Sequence, residues 1–344
     1  MFKGLFDTQT RLAKIDRNGD PLKRLNELVD WRIFLPDLAI LQSTTDPKKG
    51  GRPPFDVLLK FKMLILQSLY NLSDDSLEQQ VLDRLSFMRF LGLGIGDDVP
   101  DAKTVWAFRE SLKELGLAEK LFSRFDGFLD QAGFSAKRGQ IVDASIVKVP
   151  IRRDTRTVNE QVKKGEEVSE WTPATRAQKD VDARWTRKNG DDFFGYKNHV
   201  CPDVEHKLIR AYEVTPASVH DSNIFEDLLR SNSDPSVYAD SAYTSAERIE
   251  AMTSPDSPWL PCIHEKGYAK HPLTDVQRHA NRERSRFRVR VEHVFAAQRQ
   301  RAGALLLRGI GIARARAKIG LRNLAYNLER FALLASSRHR GIVS

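Results

Sequence analysis

The stretch QIVDASIVKVP, residues 140–150, decides the fold. Ile141, Val142, Ile146, Val147 and Val149 form a short β-branched run between Gly139 and Pro150, the pattern of a strand. It interrupts a chain that is helical in character up to that point. It also holds one acid, Asp143, where an unpaired charge is costly to bury. A carboxylate in such a place serves either as an ion-pair partner or as a ligand in a reactive site.

Working outward toward the N-terminus, residues 1–139 read as an all-helical domain. NELVDWRIFLPDLAILQ (26–42) is apolar at helical spacing, and DPKKGGRPP (46–54) is a turn-rich linker. Two helices follow, broken at NLSD (71–74), with Ser73 or Asp74 as N-cap; another begins behind Asp101. Helical pairs joined by short turns give this part helix-turn-helix potential.

Toward the C-terminus, residues 152–190 read as a polar, irregular, basic insertion. DFFGYKNHVCPD and HKLIRAYEVTPAS form paired strands joined near Pro202-Asp203. HDSNIFEDLLRS is helical, with Asp221 as a capping acid. A strand ending at Asp240, a helix in SAERIEAMTS and a last strand in SPWLPCIHEKG complete the alternation. Hairpin strands followed by alternating helices and strands predict a mixed α/β sheet covered by helices. The predicted division is a helical domain over 1–139, a sheet domain over 140–303 and a basic helical tail over 304–344.

The charge is unevenly distributed. The 344-residue chain carries +9, but residues 282–340 hold 15 Lys/Arg against 3 Asp/Glu, whereas residues 191–281 hold 8 against 15. A basic end and an acidic middle suit a polyanionic partner and a cation. No apolar run reaches transmembrane length, the N-terminus lacks a signal-peptide apolar core, and two cysteines make no disulfide framework. The chain reads as cytoplasmic.

SRFRVRVEHVF (285–295) alternates apolar and charged residues as a strand does, yet it runs into AAQRQRAGALL without a turn before Gly303. As a helix it gathers Phe287, Val291, Val294, Phe295 and Ala302 into one apolar stripe. Arg288, Glu292 and Arg299 then share the adjacent face. The helical reading therefore prevails, and it leaves one acid, Glu292, among arginines. With Asp143 in its strand and Asp240 at a strand end, Glu292 completes a candidate acidic triad whose members lie 97 and 52 residues apart.

Several blocks in order resemble a known family. GGRPPFDVLLKFKMLILQSLYNLSDDSLEQQVLDRLSFMRFLGL and VPDAKTVWAFRESL resemble its N-terminal domain. VDASIV, DVDARWTRKNGDDFFGYKNHV, TPASVHDS, YADSAYTS and RVRVEHVF resemble successive blocks of its catalytic core. The family is the DDE transposases of bacterial insertion sequences, IS-five (InsH-like) group. The resemblance implies a ribonuclease-H-like mixed sheet with flanking helices, preceded by an all-α N-terminal domain. It implies Asp143, Asp240 and Glu292 as the catalytic acids and metal ligands, with two Mg²⁺ (or Mn²⁺) ions as cofactors. Arg288 fits the arginine expected four residues before the glutamate. Ser285 stands where a tyrosine is expected, and Arg299 where a lysine is expected.

Three hard-oxygen carboxylates suit paired Mg²⁺ ions that activate a nucleophile and hold a leaving 3′ oxygen in phosphodiester chemistry. The expected activity is DNA cleavage at the inverted-repeat ends of an insertion sequence and strand transfer to target DNA. The expected partners are double-stranded DNA, as inverted terminal repeats and target, and a second copy in a homodimer, with no membrane. The residues expected on DNA are Arg288, Arg290 and Arg299, Lys197, Lys266, and Arg184 with Trp185 in the basic insertion. Two alternatives are a metal-dependent nuclease or resolvase that only hydrolyses, and a non-catalytic, transposase-derived DNA-binding protein. A zinc site from Cys201, His206, Cys262 and His264 is disfavoured by its unusual ligand spacing.

Overall fold

The computed structural model describes residues 7–42, 53–151, 154–269, 271–303 and 305–339. Most of the expected linker at 46–54 lies outside them. The chain forms two compact units: Met1–Ser135 with Gln300–Gly303 and Gly320–Ser344, and Ala136–Arg299 with Ala304–Ile319. The expected 304–344 tail is thus divided between the two units.

In the helical unit, Val57–Tyr70 is buried along most of its length, including Phe61, Met63, Leu64, Ile65 and Leu66. Ser73 caps Asp74–Asp83 by accepting from Ser76 N–H, and Asp101 caps Ala102–Glu114 by accepting from Thr104 N–H. The 26–42 stretch is no single helix. Asp30 restarts the chain as the short 3₁₀ turn Trp31–Phe34, followed by Leu35–Leu38 with Pro36 in its first turn. The Phe331 ring meets Phe125, Phe128 and Phe134 near perpendicular, at 5.4–5.9 Å between centroids.

The sheet unit carries β1 (Gln140–Ile141), β2 (Asp143–Lys148), β3 (Arg184–Lys188), β4 (Asp191–Pro202), β5 (Ile209–Pro216), β6 (Ser236–Ala239) and β7 (Leu260–Ile263). The opening stretch is therefore two strands, not one. β1 lies parallel to β6, and β6 parallel to β7. β2 runs antiparallel to β4, which also pairs antiparallel with β3 and β5. Val142 N–H, at the join, donates to Tyr238 O, so the 140–148 segment serves both sheets. The expected irregular insertion is partly regular: Arg156–Lys164 and Pro173–Arg176 are helices, and β3 is a strand on β4. Period alone missed β3 because RWTRK is polar and partly exposed on both faces.

Residues 285–295 lie within the long helix Asp275–Ala302, as the stripe requires. Val291, Val294 and Phe295 are buried, and Val142, Val237, Ala239, Phe225 and Tyr243 form a core beside β6. Close backbone approach sets the β2–β4 contact. Gly195 has φ +152°, and a Cβ there would stand 2.1 Å from Val147 O.

Candidate functional site

Asp143 is the first residue of β2, immediately after the join. Because Ile141 pairs with Tyr238 in parallel register, Asp143 and Asp240 each stand two residues farther along neighbouring segments. The register thus carries two acids that are remote in sequence to one end of the sheet. Asp143 is buried, and its Oδ1 accepts from Ala144 N–H at 2.8 Å. Asp240 is half-buried and caps the 3₁₀ turn Ser241–Tyr243, accepting from Ala242 N–H at 2.8 Å.

The long helix brings the cation. Phe287 stacks on Tyr238 with centroids 4.8 Å apart and planes 20° from parallel. Arg284 donates to Ile263 O, and Asn281 exchanges hydrogen bonds with the Glu265 backbone. These contacts fix the helix register, and Arg288 then donates from Nη2 to Asp143 Oδ2 at 3.3 Å. The Nε of Arg288 is buried and makes no hydrogen bond among the described residues. Burial raises the Asp143 pKa, outweighing the opposing pull of Arg288 and of Ala144 N–H, and Asp240 raises it further.

Glu292 lies one helical turn beyond Arg288 and is exposed. Among the described residues, no three of His, Cys, Asp and Glu are grouped to hold a metal ion. The structure therefore gathers Asp143, Asp240 and Arg288, with Glu292 outside that cluster. The donor set still fits a divalent cation. Two hard carboxylates share one sheet end, burial disfavours the Asp143 charge, and that charge is already drawn to a guanidinium.

Sequence reasoning missed part of the surroundings. For Asp221 the sequence offers a helix cap first and a role near the metal site second; in the structure the His220 ring is the cap, accepting from Ser222 N–H. Asp221 instead pairs with Lys197 Nζ at 2.7 Å and lies 3.9 Å from His199 Nδ1. His199 is buried, its Nε2 is 2.8 Å from Thr215 Oγ1, and burial holds its pKa down at about 4. Tyr243 is buried, with a hydroxyl that has no hydrogen-bond partner among the described residues. Its pKa is raised by burial first, then by Asp221, Asp143 and Asp240. The sequence signal was the alternation of Lys197 and His199 on one strand, which could not say what met them.

The residues expected on DNA separate into two sets. Arg184 donates to the Val181, Ala183 and Val162 carbonyls, and Arg290 to Val204 O, so both guanidiniums are spent inside the fold. Lys197 is engaged by Asp221 and Val219 O, and Arg288 by Asp143. Arg299 and Lys266 are exposed; Arg299 donates to its own helix carbonyl at Phe295, and Lys266 lies 5.7 Å from the Tyr268 ring centroid. Trp185 is 44% exposed and leans on Phe194. Of the weighed zinc ligands, Cys201 is buried and donates to Gln140 Oε1, and burial pushes its thiol up to about 12.

Residues 9–111 match the family model described as Transposase domain (DUF772), and residues 134–328 match the model described as Transposase DDE domain. The chain is also similar to a solved structure, the cryo-EM structure of the piggyBac transposase synaptic complex with hairpin DNA. The identity is 12% and the TM-score 0.45, with 94% of this chain and 77% of that chain covered. No described helix is long and apolar enough to cross a membrane.

Proposed function

The chain belongs to the Transposase DDE domain family, and on that premise we propose that it cuts DNA at the inverted-repeat ends of an insertion sequence and joins the freed 3′ ends to target DNA. The observation that carries this reading is the pairing of Asp143 and Asp240 at one end of adjacent parallel segments, with Arg288 on the first of them. A mixed sheet with antiparallel partners to one side of the 140–148 segment and parallel partners to the other supports a ribonuclease-H-like core.

In this reading Asp143 and Asp240 would hold the divalent ions, with Glu292, which stands outside their cluster in this structure, as the third ligand that the resemblance implies. Mg²⁺ or Mn²⁺ held there would supply activation of the attacking oxygen and stabilisation of the leaving 3′ oxygen. The protein supplies the rest. The β1–β6 register fixes the two aspartates, and the Phe287–Tyr238 stack fixes the helix that carries Arg288 and Glu292. Arg288 offers a guanidinium fork to phosphate oxygens. Arg299, Lys266 and Trp185, which are exposed, contact the DNA flanks. Residues 1–139 hold the repeat ends and pair two copies as a dimer.

The test uses DNA carrying the element's own ends with a plasmid target. Cleaved ends and joined product are expected with Mg²⁺, and neither with chelator. Asp143→Asn should abolish both while leaving DNA retention in a gel within about twofold. Nicks without joined product would reduce the protein to a nuclease; retention of DNA without either product would leave only binding.

A further inference from the structure

Arg288 occupies an unusual position for a residue meant to meet DNA. Its side chain is 24% exposed, and one end of its guanidinium lies on the carboxylate of Asp143, itself 12% exposed. The other side of the guanidinium, at Nε, is buried without a hydrogen bond among the described residues. A half-satisfied, half-buried guanidinium is costly to keep, since removing charge from water demands full compensation. The groups acting on this place are Asp143, Asp221, Asp240, Lys188, His264 and Tyr243 from the sheet and its loops, and Arg284 from the helix. Arg288 and a divalent cation compete for the same carboxylate oxygens, because each satisfies the same charge.

We propose that Arg288 is an internal counter-cation that holds the acid pair against divalent ions until a DNA phosphate draws it away. The guanidinium leaves Asp143 for phosphate oxygens, which match its fork better than a single bond at 3.3 Å. Asp143 is then free to take the metal. DNA and cation binding are thereby coupled through one side chain, and the coupling is reciprocal: end DNA tightens cation binding, and the cation tightens DNA binding by the same factor. Arg288 is in this sense a positioning residue. The contact also keeps a metal-dependent nuclease quiet away from its DNA.

This inference rests on Asp143 as a cation ligand, and the experiment keeps the two apart. Mn²⁺ binding to the full-length protein is measured by electron paramagnetic resonance, which needs no turnover. DNA-free Arg288→Gln should bind Mn²⁺ about tenfold tighter than wild type. Wild type should gain a similar factor when a short pre-cut end duplex lacking its terminal 3′ hydroxyl is added, and Arg288→Gln should gain little. Arg290→Gln, whose guanidinium is tied to Val204 O, should behave as wild type. If Asp143→Asn binds Mn²⁺ as wild type does, the site assignment fails. If Asp143→Asn loses binding while Arg288→Gln is no tighter than wild type, the counter-cation fails alone. Should Arg288→Gln not fold, the wild-type comparison decides: equal Mn²⁺ affinity with and without DNA overturns the proposal.

Discussion

His199 is neutral in the fold because burial outweighs the pull of Asp221. In the unfolded chain it titrates near pH 6.5, and in the native state near 4. A histidine lowered in this way contributes stability above pH 6.5, and that contribution is lost as pH falls toward 4, on the order of 3 kcal/mol over the window. Urea midpoints between pH 7 and 4 should therefore drop, and His199→Gln, which can still bond Thr215, should flatten that slope. Asp143 has the opposite sense. Its raised pKa means its carboxylate destabilises the metal-free fold as pH rises, the cost of a buried acid kept for another purpose. Asp143 and Asp240 were legible in sequence because an acid in a β-branched strand and an acid at a strand end are both out of place. Asp221 and Tyr243 were not, since neither breaks a local rule: the acid begins a short helix and the tyrosine closes a short turn.

Among the elements, the β2–β4 ladder and the long helix determine where the acids stand. Gly195→Ala would place a methyl 2.1 Å from Val147 O at a backbone angle that side chains rarely adopt. It should cost about 3 kcal/mol or more in chemical denaturation, with protection lost first from the amides of β2 in hydrogen exchange. Phe287→Ala removes the ring that stacks on Tyr238, two residues before Asp240. A loss of about 2–3 kcal/mol is expected, with cleavage falling more steeply than DNA retention, because the ring registers the helix that carries Arg288. The helical identity of 285–295 could be read from its apolar stripe. Its arginines misled: basic composition suggested an outward face, whereas Arg284, Arg288 and Arg290 are consumed by a carbonyl, a carboxylate and another carbonyl. A guanidinium can satisfy backbone acceptors as readily as phosphates, and sequence does not distinguish the two.

For the whole molecule, the C-terminal segment is a structural part rather than an appendage. Residues 320 onward belong to the helical unit, where Phe331 closes against Phe125, Phe128 and Phe134. Truncation after residue 319 should expose these rings, lower the helical signal in circular dichroism beyond the residues removed, and raise binding of an apolar dye. A merely electrostatic tail would leave the helical signal of residues 7–135 unchanged.

The sequence by itself determined the order of elements, the change from helix to sheet at Gly139, the two strand-borne aspartates and the helix that follows β7, because period, caps and misplaced charges are local properties of the chain. Only the tertiary structure decided that 140–148 is shared between two sheets, that Arg184–Lys188 joins the sheet, that the helix Ile312–His339 serves the helical unit from residue 320 onward, and that Arg288 rests on Asp143 while Glu292 faces solvent. Apart from the local β3–β4 hairpin, those are pairings across 47 to 206 residues. Such contacts are fixed by which partner best satisfies a buried polar group, and that choice is made in space rather than along the chain.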